Sequence, residues 1–241
     1  MTTSPWRMQL FQPVINSILQ QTLKPDAILL NLPELFRNTT RYSIPRWLSE
    51  CDRIQTCVSP EPDYGPAMKL IPALTAEPAP DTIIITIDDD VIYPRDALGT
   101  FAEASMAEPG TAFCSMGFRF ETQSFNILPV RGHGNSCDVL QGFSACCYRR
   151  SHFTGLDLIH PLAELPAEYR INDDVILSNH VAKNGINRKT VEFQQGKLRF
   201  MPWSDDDPDA LKSAGDGTHA RYQDLRRHLQ KNGDWHITPF S

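Results

Sequence analysis

A run of six β-branched residues, Thr82-Ile83-Ile84-Ile85-Thr86-Ile87, limits the folds open to this chain more than any other segment. Such a run, without polar alternation, is typical of a strand that is covered on both faces of a sheet. Three carboxylates, Asp88-Asp89-Asp90, follow the run directly. The sequence therefore predicts a central strand that carries an acidic cluster at its carboxyl end.

Helical and strand patterns alternate along the rest of the chain. Such alternation predicts an α/β fold with a mostly parallel central sheet flanked by helices. The length of 241 residues is near the upper size for one hydrophobic core, so we expect a single domain over 1–241. The predicted helices lie at 8–19, 66–74, 94–106, 172–183 and 221–229, and the other predicted strands at 27–32, 54–58 and 111–116.

Charge and hydropathy exclude several classes of partner. The net charge is -6 and no run of Lys and Arg is longer than a pair, which argues against a nucleic-acid partner. The longest strongly apolar stretch, Ile83 to Ile87, is too short to span a bilayer, and the first residues lack the pattern of a signal peptide. We therefore expect a cytoplasmic protein.

The acidic cluster needs a positive partner. Three adjacent carboxylates repel one another, and partial burial beside an apolar strand raises that cost. If the strand's alternation continues, Asp88 and Asp90 share a face and Asp89 points away. Mg²⁺ or Mn²⁺ prefers one or two carboxylates together with phosphate oxygens and water, so the pair suits a cation that is bound with a diphosphate. The second acidic run, Asp205-Asp206-Asp207, follows no strand and indicates a helix start.

Seven segments, taken in order, resemble the glycosyltransferases of the GT-A fold, specifically the bacterial, family 2-like type that makes polysaccharide and lipopolysaccharide. The resemblance covers most of the chain to about Gly185, and it implies a nucleotide-sugar half at 1–110 and an acceptor half at 111–241. The segments are Thr2–Arg7, Ser17–Thr22, Pro25-Asp26, Asp63–Pro66 with Lys69-Leu70, Ile87–Asp90 with Tyr93-Pro94, Gln141–Phe143 and Asn172–Asp174.

The resemblance assigns roles to particular positions. The residues implied as ligands of Mn²⁺ or Mg²⁺ are Asp88 and Asp90. Some relatives add a histidine late in the chain, and here His219 is preferred to His236 for that position. A catalytic base that takes the acceptor proton falls to Asp174, with Asp173 as its supporting neighbour. The positions implied on the donor side are Asp63, Lys69, Asp88 and Asp89 near the nucleotide, and Gly142 and Phe143 under the sugar.

Each assignment has a structural alternative. Lys69 could lie on a solvated helix face, Gly142 could be an ordinary glycine at a strand end, and the histidine could be a surface residue. Asp173 and Asp174 could serve only the helix dipole. Relatives also begin with a short strand before the Thr-Thr-x-Pro segment, so an N-terminal strand is expected to be missing here.

The implied activity is the metal-dependent, inverting transfer of a sugar to a hydroxyl of a glycan or lipid-linked acceptor. The implied donor is a nucleoside-diphosphate sugar, and the first candidate is a UDP-sugar. A role in surface polysaccharide synthesis implies that the protein associates peripherally with the inner face of the membrane. Two other classes stay open. A metal-dependent nucleotidyltransferase or phosphodiesterase would also place Asp pairs around a cation. A non-catalytic module could bind a sugar nucleotide without turnover.

Overall fold

The computed structural model describes residues 1–59, 62–121, 126–154, 158–205 and 218–238. Its strands are β1 (Leu29–Pro33), β2 (Gln55–Ser59), β3 (Ile83–Thr86), β4 (Val91–Ile92), β5 (Thr111–Cys114), β6 (Gly117–Phe120), β7 (Ile127–Val130), β8 (Val139–Leu140), β9 (Cys146–Arg149), β10 (Asn187–Thr190) and β11 (Arg199–Phe200). Its helices are α1 (Gln12–Leu19), α2 (Arg46–Ser49), α3 (Ile71–Ala76), α4 (Ala97–Ala107), α5 (Ile159–Glu164), α6 (Ala167–Arg170), α7 (Asp173–Lys183) and α8 (Thr218–Lys231).

The largest sheet of the described residues has four strands in the order β10, β5, β9, β3. Strand β10 runs parallel to β5, whereas β9 runs antiparallel to both of its neighbours. In the β3–β9 pair, Ile84 lies opposite Tyr148 and Thr86 lies opposite Cys146. The chain is thus α/β with a mixed sheet.

The prediction of a mostly parallel central sheet is wrong. Parallel strands need a long crossover connection, usually a helix, between them. After β5 the chain instead forms the antiparallel sheet β7-β6-β8 and then returns through a short 3-10 helix, Gly142–Ser144, into β9. Strand β3 is also not central, because it is the last strand of the four-stranded sheet in the described structure.

The described residues also form two sheets of two strands each. Strands β1 and β2 form a parallel pair, and β11 pairs antiparallel with β4. Residue Met1 lies along β1, where its amine donates to the Leu29 carbonyl at 2.9 Å and its carbonyl accepts from the Asn31 N–H at 2.9 Å. Strand β1 therefore has hydrogen-bonded neighbours on both sides.

Side chains of the four-stranded sheet point alternately into two apolar clusters. On β3, Ile84 packs into one cluster, while Ile83 and Ile85 pack against the other. On β9, Tyr148 and Cys147 divide in the same way. The first cluster also contains apolar residues of α3, α7 and α8, and the second contains those of α1 and α4. Helices therefore cover both faces of the sheet, as the two-residue period of a strand requires.

Local sequence signals located several elements well. The helix predicted after Asn172 is confirmed as α7, and it ends before Gly185, which adopts a left-handed φ of 73°. The Asn172 side chain donates to the Tyr169 carbonyl instead of capping the helix. Of the second acidic run, Asp205 ends a 3-10 helix that starts at Pro202, while residues 206 and 207 lie outside the described residues.

None of the helices in the described ranges combines the length and the apolar character that crossing a membrane requires.

Candidate functional site

The acidic run divides into two groups of contacts at the end of β3. Residue Asp88 lies two residues beyond the strand, and its N–H donates to the Tyr93 hydroxyl at 3.0 Å. Residues Asp89 and Asp90 form a turn that leads into β4. Because the turn ends the extended backbone, the alternation expected for a strand stops, and Asp89 and Asp90 both contact Arg7. Asp88 contacts Lys69 instead.

The lysine cluster, defined as Lys69, Asp88, Asp173 and Asp174, is built around a buried ammonium. The Lys69 Nζ lies 2.8 Å from Asp88 Oδ1 and 3.1 Å from Asp173 Oδ2. Lys69 ends the 3-10 helix Gly65–Lys69, and Asp173 opens α7. Since Lys69 is only 4% exposed, the alternative of a solvated helix face is wrong. At 3.1 Å, Asp173 is ion-paired although the contact lacks good hydrogen-bond geometry.

Gly142 lies directly against this cluster. Its N–H donates to Asp174 Oδ1 at 2.8 Å. A Cβ at this position would lie 2.7 Å from Asp174 Oδ1 and 2.8 Å from Lys69 Nζ, distances that side chains do not tolerate. The absence of a side chain therefore permits the backbone to approach the charged groups.

Burial and like charge shift the protonation of the cluster. Burial alone would lower the pKa of Lys69, but the charges of Asp173 and Asp88 outweigh it and hold that pKa well above its ordinary value. Burial and then the charge of Asp173 raise the pKa of Asp174 to about 7. Asp174 can therefore exchange a proton near neutral pH.

The arginine cluster, defined as Arg7, Thr3, Asp89 and Asp90, holds the rest of the acidic run. Arg7 Nη1 lies 2.7 Å from Asp89 Oδ1 and 3.1 Å from Asp90 Oδ2. The Thr3 hydroxyl donates to the second oxygen of Asp89. The Arg7 guanidinium also lies 5.5 Å from the centre of the Trp203 ring. Protein side chains thus supply positive charge on both sides of the acidic run.

Two other predicted positions, Asp63 and Phe143, are not members of either cluster. Asp63 accepts N–H groups from Arg37 at 2.6 Å and Gly65 at 2.8 Å, so it stabilises the turn before the helix that ends at Lys69. The ring of Phe143 packs 5.8 Å from that of Phe200.

The two candidate histidines differ in what the structure describes. The backbone of His219 belongs to α8, and its side chain lies outside the described part of the structure. The N–H of His236 donates to Asn179, in the second half of α7. In the described structure, His236 therefore lies along α7 and not beside Asp173 at the start of that helix.

Comparison with models of protein families gives no match, and comparison with curated proteins gives none either. The lysine and arginine clusters are therefore the features from which a function is inferred.

Asp88 and Asp90 are the residues that would hold a small divalent cation. Among the described residues, one oxygen of Asp88 and one of Asp90 have no protein partner, and these side chains are 27% and 17% exposed. Burial and then the charge of Asp88 raise the pKa of Asp90 to about 6, so a cation near both would be stabilising. No group of three or more His, Cys, Asp or Glu in the described ranges could hold a metal. Mg²⁺ or Mn²⁺ needs only one or two carboxylates when phosphate and water complete its shell.

Two contacting residues had no role in the sequence prediction. The Tyr222 hydroxyl, on α8, donates to Asp174 Oδ2 at 3.2 Å. Arg7 entered only as part of the Thr2–Arg7 segment of the resemblance. A single Tyr or Arg carries no local signal of its partner, because the partners lie 48 residues away for Tyr222 and 82 and 83 residues away for Arg7.

Proposed function

We propose that this protein transfers a sugar from a nucleoside-diphosphate sugar to an acceptor hydroxyl, with inversion at the anomeric carbon. The observation that supports it best is the meeting of Lys69, Asp88, Asp173 and Asp174 under Gly142. These residues come from three separate segments of the sequence resemblance to bacterial polysaccharide glycosyltransferases, together with Gly142 from a fourth. The cluster joins the proposed donor half to the proposed acceptor half.

Asp174 is the proposed general base. An inverting transfer forms a bond between the acceptor oxygen and the anomeric carbon while the bond to the diphosphate oxygen breaks. The acceptor proton must then leave, and a carboxylate whose pKa is about 7 can take it near neutral pH. The N–H of Gly142 donates to Asp174 Oδ1, so one oxygen of the carboxylate is held in place.

Lys69 and Asp173 support that base. The Lys69 ammonium contacts Asp173 and offsets part of the negative charge that would otherwise hold the proton on Asp174. Asp88 and Asp90 would hold Mn²⁺ or Mg²⁺ through their two oxygens without protein partners. When bound, the cation supplies positive charge to the diphosphate leaving group.

The test is a panel of nucleoside-diphosphate sugars, UDP-sugars first, incubated with Mn²⁺ and with glycan or lipid-linked acceptors. The expected products are free nucleoside diphosphate and a new glycoside. Asp174→Asn should reduce turnover by about 10²-fold or more while donor affinity barely changes. Asp81→Asn is the matched control, because the side chain of Asp81 is 93% exposed and contacts only Arg149 among the described residues.

Each other outcome points to a different activity. Nucleoside monophosphate with sugar phosphate would indicate cleavage of the diphosphate and contradict the transferase. Donor binding without any product would indicate a binding module. Near wild-type turnover in Asp174→Asn would remove Asp174 from the role of base.

A further inference from the structure

Tyr222 connects α8 to the proposed base. Its hydroxyl donates to Asp174 Oδ2 at 3.2 Å, while Gly142 serves Oδ1 at 2.8 Å. The ring is only 9% exposed and stacks on Phe118, with centres 5.3 Å apart and planes 16° apart. Packing therefore fixes the ring, and the ring fixes the hydroxyl.

We propose that Tyr222 is a positioning residue for Asp174. Its hydroxyl holds Oδ2, so the carboxylate stays oriented and charged until an acceptor proton arrives. The inference rests on the proposed transfer. Each carboxylate oxygen accepts more than one hydrogen bond, so the two donors leave a lone pair on each oxygen for the acceptor hydroxyl. With only the Gly142 donor, the carboxylate could rotate about its own bond.

The hydroxyl also acts on the protonation of Asp174. A hydrogen bond donated to a carboxylate favours its charged form, so its removal should raise the pKa of Asp174 above about 7. Asp173 and Asp88 push that pKa upward and Lys69 pulls it down. The titratable groups around Asp174 are Asp173 on its own helix and, on elements packed against it, Lys69, Asp88, Cys146, Tyr148 and Tyr222.

The experiment compares wild type with Tyr222→Phe, which keeps the ring and removes the hydroxyl. Asp174 is titrated by ¹³C NMR of side-chain carboxyls in the presence of chelator, with Asp174→Asn identifying the signal. We expect its midpoint to rise by about one pH unit, from about 7. The turnover number should then fall by about fivefold at pH 7 and recover by about pH 9, with the donor KM unchanged.

Tyr169→Phe is the control, since Tyr169 lies on the neighbouring α6 and packs against His228 rather than against a carboxylate. An unchanged midpoint in Tyr222→Phe overturns the proposal. A loss of turnover that is equal at pH 7 and pH 9 also overturns it, because that pattern indicates a packing role only. If wild type transfers no sugar, the proposed function fails, yet the NMR titration still decides the role of Tyr222.

Discussion

The lysine cluster and the arginine cluster neutralise the same acidic run in different ways. In the arginine cluster one guanidinium contacts two carboxylates, and the Thr3 hydroxyl satisfies another oxygen of Asp89. In the lysine cluster a compact ammonium contacts Asp88 and Asp173, and the charge of a third carboxylate, Asp174, also acts on it. The lysine cluster thus holds more negative charge per cation, and its cation is the more buried of the two.

That difference separates two uses of charge. Where cation and hydroxyl match the carboxylates, as around Asp89, the contacts tie residues Thr3 and Arg7 to the acidic run. Where carboxylates are in excess, one of them retains a proton near neutral pH. In the lysine cluster this carboxylate is Asp174, because burial and the charge of Asp173 raise its pKa. The acidic run thus contributes Asp89 to anchoring contacts and Asp88 to the cluster that contains the proposed base.

The largest expected effect comes from Lys69→Met, which leaves buried carboxylates without their cation. Such a loss typically lowers the free energy of unfolding by about 3 to 5 kcal/mol. Urea denaturation measures it. Lys189→Met is the control, because Lys189 pairs with Glu108 at the surface and should cost less than about 1 kcal/mol. Equal losses in the two variants would contradict the central place of Lys69.

Arg7→Met should have a smaller effect. Asp89 loses a charge-assisted hydrogen bond, worth about 1.5 to 3 kcal/mol, but keeps the bond from Thr3. The same urea denaturation applies, with Arg46→Met as control because the Arg46–Glu50 pair is exposed. A loss of unfolding free energy larger than that of Lys69→Met would show that burial and excess negative charge do not decide which cluster contributes more to stability.

Gly142→Ala tests the close approach above the lysine cluster. The new Cβ would meet Asp174 and Lys69 at distances below 3.0 Å, so overpacking should cost about 1 to 3 kcal/mol. Gly110→Ala provides the matched change, since nothing lies within 4 Å of its Cβ position. Thermal unfolding of both variants gives the comparison. A Gly142→Ala variant that is as stable as Gly110→Ala would show that the side chains of Asp174 and Lys69 move aside at little cost.

The last comparison concerns the pH dependence of stability. Because folding raises the pKa of Asp174 to about 7, the folded state binds the proton more tightly, and wild type loses stability as pH rises from about 4 to about 7. Asn does not titrate, so Asp174→Asn should gain stability relative to wild type across that window. For Asp90→Asn the gain should stop near pH 6.

Urea denaturation at several pH values, in the presence of chelator, separates these two windows. A stability difference that stays constant with pH in both variants would show that neither carboxylate titrates as its surroundings imply. Windows that end at the same pH would remove the distinction between the clusters.

Local signals explain what the sequence predicted well. The β-branched run became β3, and the Asn184-Gly185 end of α7 follows from glycine's tolerance of positive φ. Strand direction is not a local property, because it depends on which connection precedes each strand. The antiparallel entry of β9 therefore could not be predicted from its own residues.

The candidate site divides in the same way. The sequence singled out Lys69, Gly142 and Asp174 by their segments, and the structure brings them together. The sequence indicated no partner for Arg7 and no role for Tyr222. Residues that form hydrogen bonds across the fold have no characteristic spacing along the chain, so their contacts could not be recognised.

The lysine cluster also has a consequence for folding kinetics. Lys69, Gly142, Asp174 and Tyr222 are far apart in sequence, so their meeting requires the closure of long loops. We therefore expect the cluster to form late in folding and to open only when large parts of the molecule unfold. The amide proton of Gly142, bonded to Asp174, then becomes a reporter. Its rate of hydrogen exchange with solvent measures the integrity of the cluster without any substrate.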